Sequence, residues 1–270
     1  MYARIFQRNV DLRLVGMLNG LCFWRRSADS VIDYKGILFP LSVLQVLLAQ
    51  SASAEVRRRF EGKGNVFDTI RVSREFQQAF IGSYVQANLN YFEAIRPHMP
   101  TDCRRVLDIG CGIGLLDLLI YRNAAGRKPE LYLFDRSVEL SKLSTSGIAP
   151  TGFNDRYVFT ASLKLAASFL KLNGVAGCDI RLCEVGAWNI RQGAPFDLVF
   201  SRKSWGFHYP LSEYLEEVVS SLADKGIVIT DVRGNQDGED LMRQRFADTE
   251  VLQQGSKSAL MIARSPKVLS

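Results

Sequence analysis

Beyond Pro100 the chain alternates short β-forming runs with segments of helical spacing, and that alternation limits the fold more than any other feature. "RVLDIG" (105–110), "LYLFD" (131–135), "IRLCEV" (180–185), "FDLVFS" (196–201) and "GIVITD" (226–231) are separated by "LLDLLIYRN", "SVELSKLS", "SLKLAASFLKLNG" and "SEYLEEVVSSLAD". Largely apolar strands joined through helices require a parallel sheet covered on both faces, because each parallel connection must cross over a face. "DLMRQRFAD" then leads to "EVLQQ" (250–254) and "SALMIAR" (258–264), which only "GSK" separates. Three residues cannot make a crossover, so the sheet must end in an antiparallel hairpin. The expected fold is α/β: seven strands, mostly parallel and Rossmann-like, with that hairpin at one end.

The first 100 residues have a different rhythm and read as helical. "PLSVLQVLLAQ" (40–50) opens with Pro40 and Ser42, both suited to a helix start. Within 73–96, Phe76, Phe80, Tyr84, Asn88, Tyr91 and Ile95 recur at three- and four-residue steps, which buries one helical face. "EGKGN" (61–65) breaks the pattern, and Pro97 and Pro100 punctuate its end. The chain thus divides into a helical N-terminal segment, 1–100, and a core, 101–270. "APTGFNDRYVFT" (149–160) reads as an insertion or loop.

Composition excludes several classes. No stretch reaches the roughly 18–20 apolar residues of a membrane helix, and the scattered charges of "MYARIFQRNVDLRLVG" do not form a secretory signal. The five cysteines, Cys22, Cys103, Cys111, Cys178 and Cys183, are odd in number and form no CxxC pair. They fit free thiols in a reducing compartment, so a cytoplasmic protein is expected. The net charge is +6; residues 1–100 hold 13 Lys/Arg against 8 Asp/Glu, and the rest is nearly balanced. A basic N-terminal segment suits an anionic substrate or nucleic acid. Its densest cluster, "EVRRRFEGKG" (55–64), lacks the interleaved aromatics of a nucleic-acid platform.

The glycine run "VLDIGCGIG" (106–114) follows the first core strand. The apolar run delivers the chain to Gly110, and Gly112 and Gly114 then allow a tight turn and close approach of a ligand to bare backbone. Asp135 ends the next strand, 21 residues after Gly114. A carboxylate there stands across the crevice, where it can accept both ribose hydroxyls of an adenosine. A dinucleotide site uses G-x-G-x-x-G; here the third such position is Leu115, and the glycines run G-x-G-x-G.

With Asp108 before the glycines, Asp135 and the terminal hairpin, residues 100–265 resemble the class I S-adenosylmethionine-dependent methyltransferases. That resemblance implies S-adenosyl-L-methionine as cofactor and S-adenosyl-L-homocysteine as product. It puts Gly110, Cys111 and Gly112 beside the methionine part, Asp108 near its ammonium, Asp135 on the ribose and Arg136 at the adenine edge. In "CEVGAWN" (183–189), Trp188 either covers the adenine or packs in the core, and Glu184 either reads the adenine or lies within the strand. The fourth core strand ends at Ser201, which the same reading places beside the cofactor.

"SRKSWGFHYP" (201–210) leaves that strand at its carboxyl end, where open α/β sheets bind ligands. His208, with an ordinary pKa near 6.5, is the candidate general base toward a hydroxyl acceptor. Trp205, Phe207 and Tyr209 are candidates for an aromatic wall, and Arg202 and Lys203 for pairing with an anionic group on the substrate. Tyr84, with Asn88 and Tyr91, is a candidate substrate contact from the N-terminal segment. The stretch departs from the D/N-P-P-Y/F motif of many amino-methyltransferases. Together with "LYLFDRS" and "LKLNGV" it is similar to bacterial proteins described as sugar or small-molecule O-methyltransferases. The expected activity is methyl transfer to a small molecule, at oxygen, with nitrogen open. The alternatives are an RNA or protein methyltransferase using the basic segment, and a non-catalytic binding subunit. No metal is expected, since Cys178, Cys183 and His208 lack ligand spacing.

Overall fold

A computed structural model describes residues 31–51, 74–137, 162–234 and 237–267. The N-terminal part opens with a hairpin, β1 (Val31–Tyr34) and β2 (Ile37–Pro40), followed by α1 (Leu41–Ser51) and α2 (Arg74–Ile95). The helical reading of 1–100 holds at α1 and α2 and misses the hairpin. Its turn, Lys35-Gly36, has both residues at positive φ, and Asp33 Oδ1 accepts the Gly36 N–H at 2.9 Å. That local chemistry favours a two-residue turn over a helix. The basic cluster at 55–64, the run "SVELSKLS" beyond Ser137 and the stretch 149–160 lie outside the described residues.

The core alternates as its sequence requires: β3 (Arg105–Ile109), α3 (Leu115–Asn123), β4 (Glu130–Asp135), α4 (Leu163–Leu172), β5 (Ile180–Glu184), β6 (Phe196–Ser201), α5 (Leu215–Ser221), β7 (Leu222–Arg233), α6 (Gly238–Arg245), β8 (Phe246–Gln254) and β9 (Ser258–Pro266). The sheet order is β5-β4-β3-β6-β7-β9-β8. Strands β5 through β7 are parallel neighbours, and β9 runs antiparallel between β7 and β8. The seven-stranded, mostly parallel sheet and its terminal hairpin are those expected from the sequence. Order reverses between β3 and β6, so the carboxyl ends of these two strands flank the switch point.

Two apolar layers sandwich the sheet. Val106, Leu131, Leu133, Leu198 and Phe200 face α2, α3 and α4, while Leu107, Phe134, Val199 and Val228 face α5 and α6. Alternate side chains of each strand serve opposite layers. Leu198, Val199 and Phe200 on central β6 have no solvent exposure, and burying each contributes roughly 1.5–3 kcal/mol.

α2 buries Ile81, Val85, Asn88, Phe92 and Ile95 at steps of three and four. Asn88 is the polar member of that stripe. The hairpin lies against α2, α3 and α4: Tyr34 packs over Gly82, Arg122 donates to the Gly36 carbonyl, and Phe39 meets Phe169 with ring centroids 5.4 Å apart. Asn173, just after α4, accepts the Leu38 N–H at 2.8 Å and donates to the Leu38 carbonyl at 2.9 Å. Among the described residues no helix is long and apolar enough to cross a membrane. Cys103, Cys111, Cys178 and Cys183 are free thiols.

Candidate active site

The glycine turn begins where β3 runs out. Gly110 donates its N–H to the Phe134 carbonyl at 2.7 Å, which ties the turn to β4. Gly110 and Gly112 have φ of +84° and +57°, the left-handed region that glycine occupies at little cost. A β-carbon on Gly110 would overlap the side chain of Ser204, from the loop after β6. One on Gly112 would meet open space.

Asp135 closes the other side. Its Oδ2 accepts the Gly112 N–H at 3.0 Å and its Oδ1 accepts the Arg136 N–H at 2.7 Å. Burial raises the carboxyl to about 6 against the pull of these two N–H groups. The Cys111 thiol, buried beside Asp135, is pushed well above its ordinary range, so it is no thiolate nucleophile. A shallow cleft opens here, lined by Gly110, Phe134, Asp135, Val185, Tyr209 and Tyr214, with Ile109, Arg136 and Ser204 completing it. Apolar and aromatic walls around one carboxylate suit a planar base carrying a sugar.

The loop 201–210 is a tied turn. The Ser204 carbonyl accepts N–H groups from Phe207, His208 and Tyr209, and Gly206 donates to the Tyr209 carbonyl at 2.8 Å. Thr230 Oγ1 donates to the Trp205 carbonyl at 2.7 Å, and Arg233 N donates to the Gly206 carbonyl at 3.0 Å, stitching the turn to β7. His208 is half-buried, with its ring edge-on to Phe207 at 5.0 Å between centroids.

Trp205 departs from its expected place. It has no exposed surface, and its indole N–H donates to the Leu211 carbonyl at 2.8 Å. It is a core residue behind the wall, and of this loop's aromatics it is Tyr209 that lines the cleft, beside Phe134 and Tyr214. Ser201 is likewise fully buried: its Oγ donates to the Ile109 carbonyl at 2.7 Å and accepts the Trp205 N–H at 2.9 Å. That hydroxyl joins the ends of β3 and β6 and has no face toward the cleft. Trp188 packs on Tyr132 and Phe134 at 6.0 and 5.8 Å, outside the cleft lining. Glu184 Oε1 accepts the Ser137 N–H at 2.8 Å.

Tyr84, Asn88 and Tyr91 come together with Arg202 on the α2 side. Arg202 donates to Asn88 Oδ1 and lies over the Tyr91 ring at 5.3 Å, and Tyr91 Oη donates to the Ser201 carbonyl at 3.4 Å. Burial pushes the Tyr84 hydroxyl up to about 12. Lys203, at positive φ, donates its N–H to Asp231 Oδ2 at 3.2 Å. Beneath the glycine turn lies Asp108, buried, with its carboxyl within hydrogen-bonding reach of Asp117 in the first turn of α3.

Sequence reasoning missed Asp117, Phe134, Val185, Ser204 and Tyr214. The signal for Asp117 was available, as one carboxylate in the otherwise apolar run "LLDLLIY". Among the described residues no group of three or more His, Cys, Asp or Glu is placed to hold a metal ion.

No family model matches the chain, and no curated protein matches its sequence. Solved structures with a similar fold do exist. The O-methyltransferase TomG from Streptomyces achromogenes, involved in tomaymycin synthesis and in complex with SAM, is 16% identical, with 87% of this chain and 92% of that chain covered at a TM-score of 0.47. Magnesium protoporphyrin IX methyltransferase (ChlM) from Synechocystis PCC 6803, with bound SAM, is 16% identical, with 84% and 98% covered at 0.44. The 16S rRNA N2 G1207 methyltransferase (RsmC) of T. thermophilus, in complex with AdoMet and guanosine, is 15% identical at 0.46. The match covers 74% of this chain but only 45% of that longer one. Likeness at this level says nothing of substrate.

Proposed function

We propose that the chain is an S-adenosylmethionine-dependent methyltransferase whose acceptor is a small molecule bearing a hydroxyl. The observation that carries this reading is the meeting of Gly112 with Asp135 at the switch point of a sheet whose last strands form an antiparallel hairpin. A dinucleotide fold of order 3-2-1-4-5-6 has no such inserted antiparallel strand. The residues present fit the cofactor: open space at Gly112, an apolar cleft with one carboxylate, and the buried carboxyl of Asp108 below, next to the unsatisfied carboxyl of Asp117.

In this reading Asp135 takes the ribose hydroxyls, Phe134, Val185 and Tyr214 enclose the base with Arg136 at its edge, and Gly110, Cys111 and Gly112 border the methionyl arm over Asp108. When bound, the cofactor supplies a methyl group on a sulfonium, open to in-line attack. The chain's own part is to bind, orient and exclude water. Tyr209 walls the cleft, His208 accepts the acceptor's proton, and Arg202 with Tyr84 borders the acceptor from the α2 side.

Titration calorimetry with S-adenosylmethionine and S-adenosylhomocysteine tests the reading. Micromolar binding, lost in Asp135→Ala, is expected. A folded wild-type protein that binds neither ligand would remove the catalytic reading.

A further inference from the structure

Asp117 is a residue with no ordinary reason to be where it is. Its side chain has no solvent exposure, and no donor from another described residue satisfies either oxygen. Apart from its own backbone N–H, the polar group that its carboxyl meets is the carboxyl of Asp108, itself 4% exposed. Two ionised carboxylates cannot share a dry site at that separation; one proton between them converts repulsion into a hydrogen bond. Burial raises both carboxyls; Asp117 raises Asp108 further, while the hydrogen bond from Asp108 pulls Asp117 down, the division expected when Asp108 carries the shared proton.

The surroundings supply no substitute. Asp135 faces the pair from β4, Cys111 from the glycine turn, and Tyr84 and Tyr91 from α2. Burial keeps the thiol and both phenols neutral at ordinary pH. Arg202, the nearby cation, is held by Asn88 and stacked on Tyr91.

We propose that Asp108 and Asp117 share one proton in the free site and release it to solvent when the ammonium group of the ligand docks on Asp108. Asp117 is a positioning residue: it never meets the ligand, and it holds Asp108 in place until the ammonium takes over. The charges balance simply. The free pair carries one proton and one negative charge; the bound pair is two carboxylates facing one ammonium, and the proton leaves to water. The proposal rests on the cofactor reading above.

The test is calorimetry of the full chain with S-adenosylhomocysteine at about pH 6.5, where the ligand's amine is protonated. It is run in two buffers of very different ionisation enthalpy. Wild type should show a buffer-dependent heat equivalent to about one proton per ligand, and Kd should fall up to about tenfold per pH unit from acid toward neutral. Asp117→Asn gives Asp108 a permanent amide donor and leaves Asp135 unchanged. It should bind within about threefold of wild type, a change under about 1 kcal/mol, and lose that buffer dependence except for the minor share that Asp135, near 6, releases.

Equal buffer dependence in wild type and Asp117→Asn would overturn the proposal and leave the cofactor reading standing, as would no buffer dependence in wild type. No binding by folded wild type would overturn both. Should Asp117→Asn fail to fold, infrared difference spectra of wild type labelled at aspartate decide. A protonated-carboxyl band present in the free protein and lost on ligand addition, in Asp135→Asn as well as in wild type, supports the pair, and its absence from Asp135→Asn overturns it.

Discussion

Gly110 and Ser204 stand so close that a single β-carbon on Gly110 would occupy the space of the serine side chain. The two belong to the loops after β3 and β6, so this contact sets the spacing of the switch point.

Gly110→Ala should therefore disturb both fold and ligand binding. The positive φ alone costs about 1–2 kcal/mol for an alanine, and the collision adds to it. Gly112→Ala has similar strain but open space ahead of it. It should cost less in urea unfolding yet still abolish S-adenosylhomocysteine binding, because the methyl group fills that space. Equal effects of both substitutions on binding and stability would contradict this division.

Asp135 gives a stability signature with a definite sign. Its folded carboxyl, near 6, lies above the unfolded value of about 3.9. The folded state thus holds the proton more tightly, and stability falls as pH rises from about 4 to about 6. The charged form costs about 2–3 kcal/mol at neutral pH. Asp135→Asn keeps one acceptor for Gly112 and should unfold at higher denaturant than wild type at pH 7, with the difference shrinking at pH 4. The same variant should bind the cofactor at least about tenfold more weakly. Stability and binding moving together would count against the assignment.

Trp205 and Tyr209 should separate packing from binding. Trp205→Ala empties a fully buried site and leaves the Leu211 carbonyl without its donor, at a cost of about 3–5 kcal/mol in denaturant unfolding. Tyr209→Ala removes a cleft wall and should weaken S-adenosylmethionine binding while changing stability by about 1 kcal/mol.

His208→Ala should lower kcat by about 10²–10⁴ with little change in cofactor affinity, if a hydroxyl acceptor is turned over. The acid limb of the kcat/KM profile, where the wild-type histidine is protonated, should vanish in the variant. A profile that keeps this limb would assign it to another group.

Much of this architecture was legible in the residues. Parallel strands buried on both faces announce themselves as continuous apolar runs, and three residues between the last two runs admit only a hairpin. The placement of Asp135 followed from its distance after the glycines. Contacts made across the sheet were not legible. Whether Trp205 faces a ligand or the core depends on the Leu211 carbonyl and on β7, which no local pattern encodes. The β1–β2 hairpin was hidden because a short turn at Lys35-Gly36 carries little weight beside a long helical stretch. Asp117 looked like one charge on an ordinary helix until α3 proved buried through residues 115–121.

The amide of Asn173 bonds Leu38 through both its oxygen and its nitrogen, much as the backbone of a third strand would. Two strands of four residues have no adequate partner in isolation. Residues 31–40 thus borrow their shape from the surface of α2, α3 and α4, with Asn173 as the polar tie. Asn173→Ala should release residues 31–40 to proteases while α2 and the sheet stay intact, so one amide decides whether the hairpin belongs to the folded body.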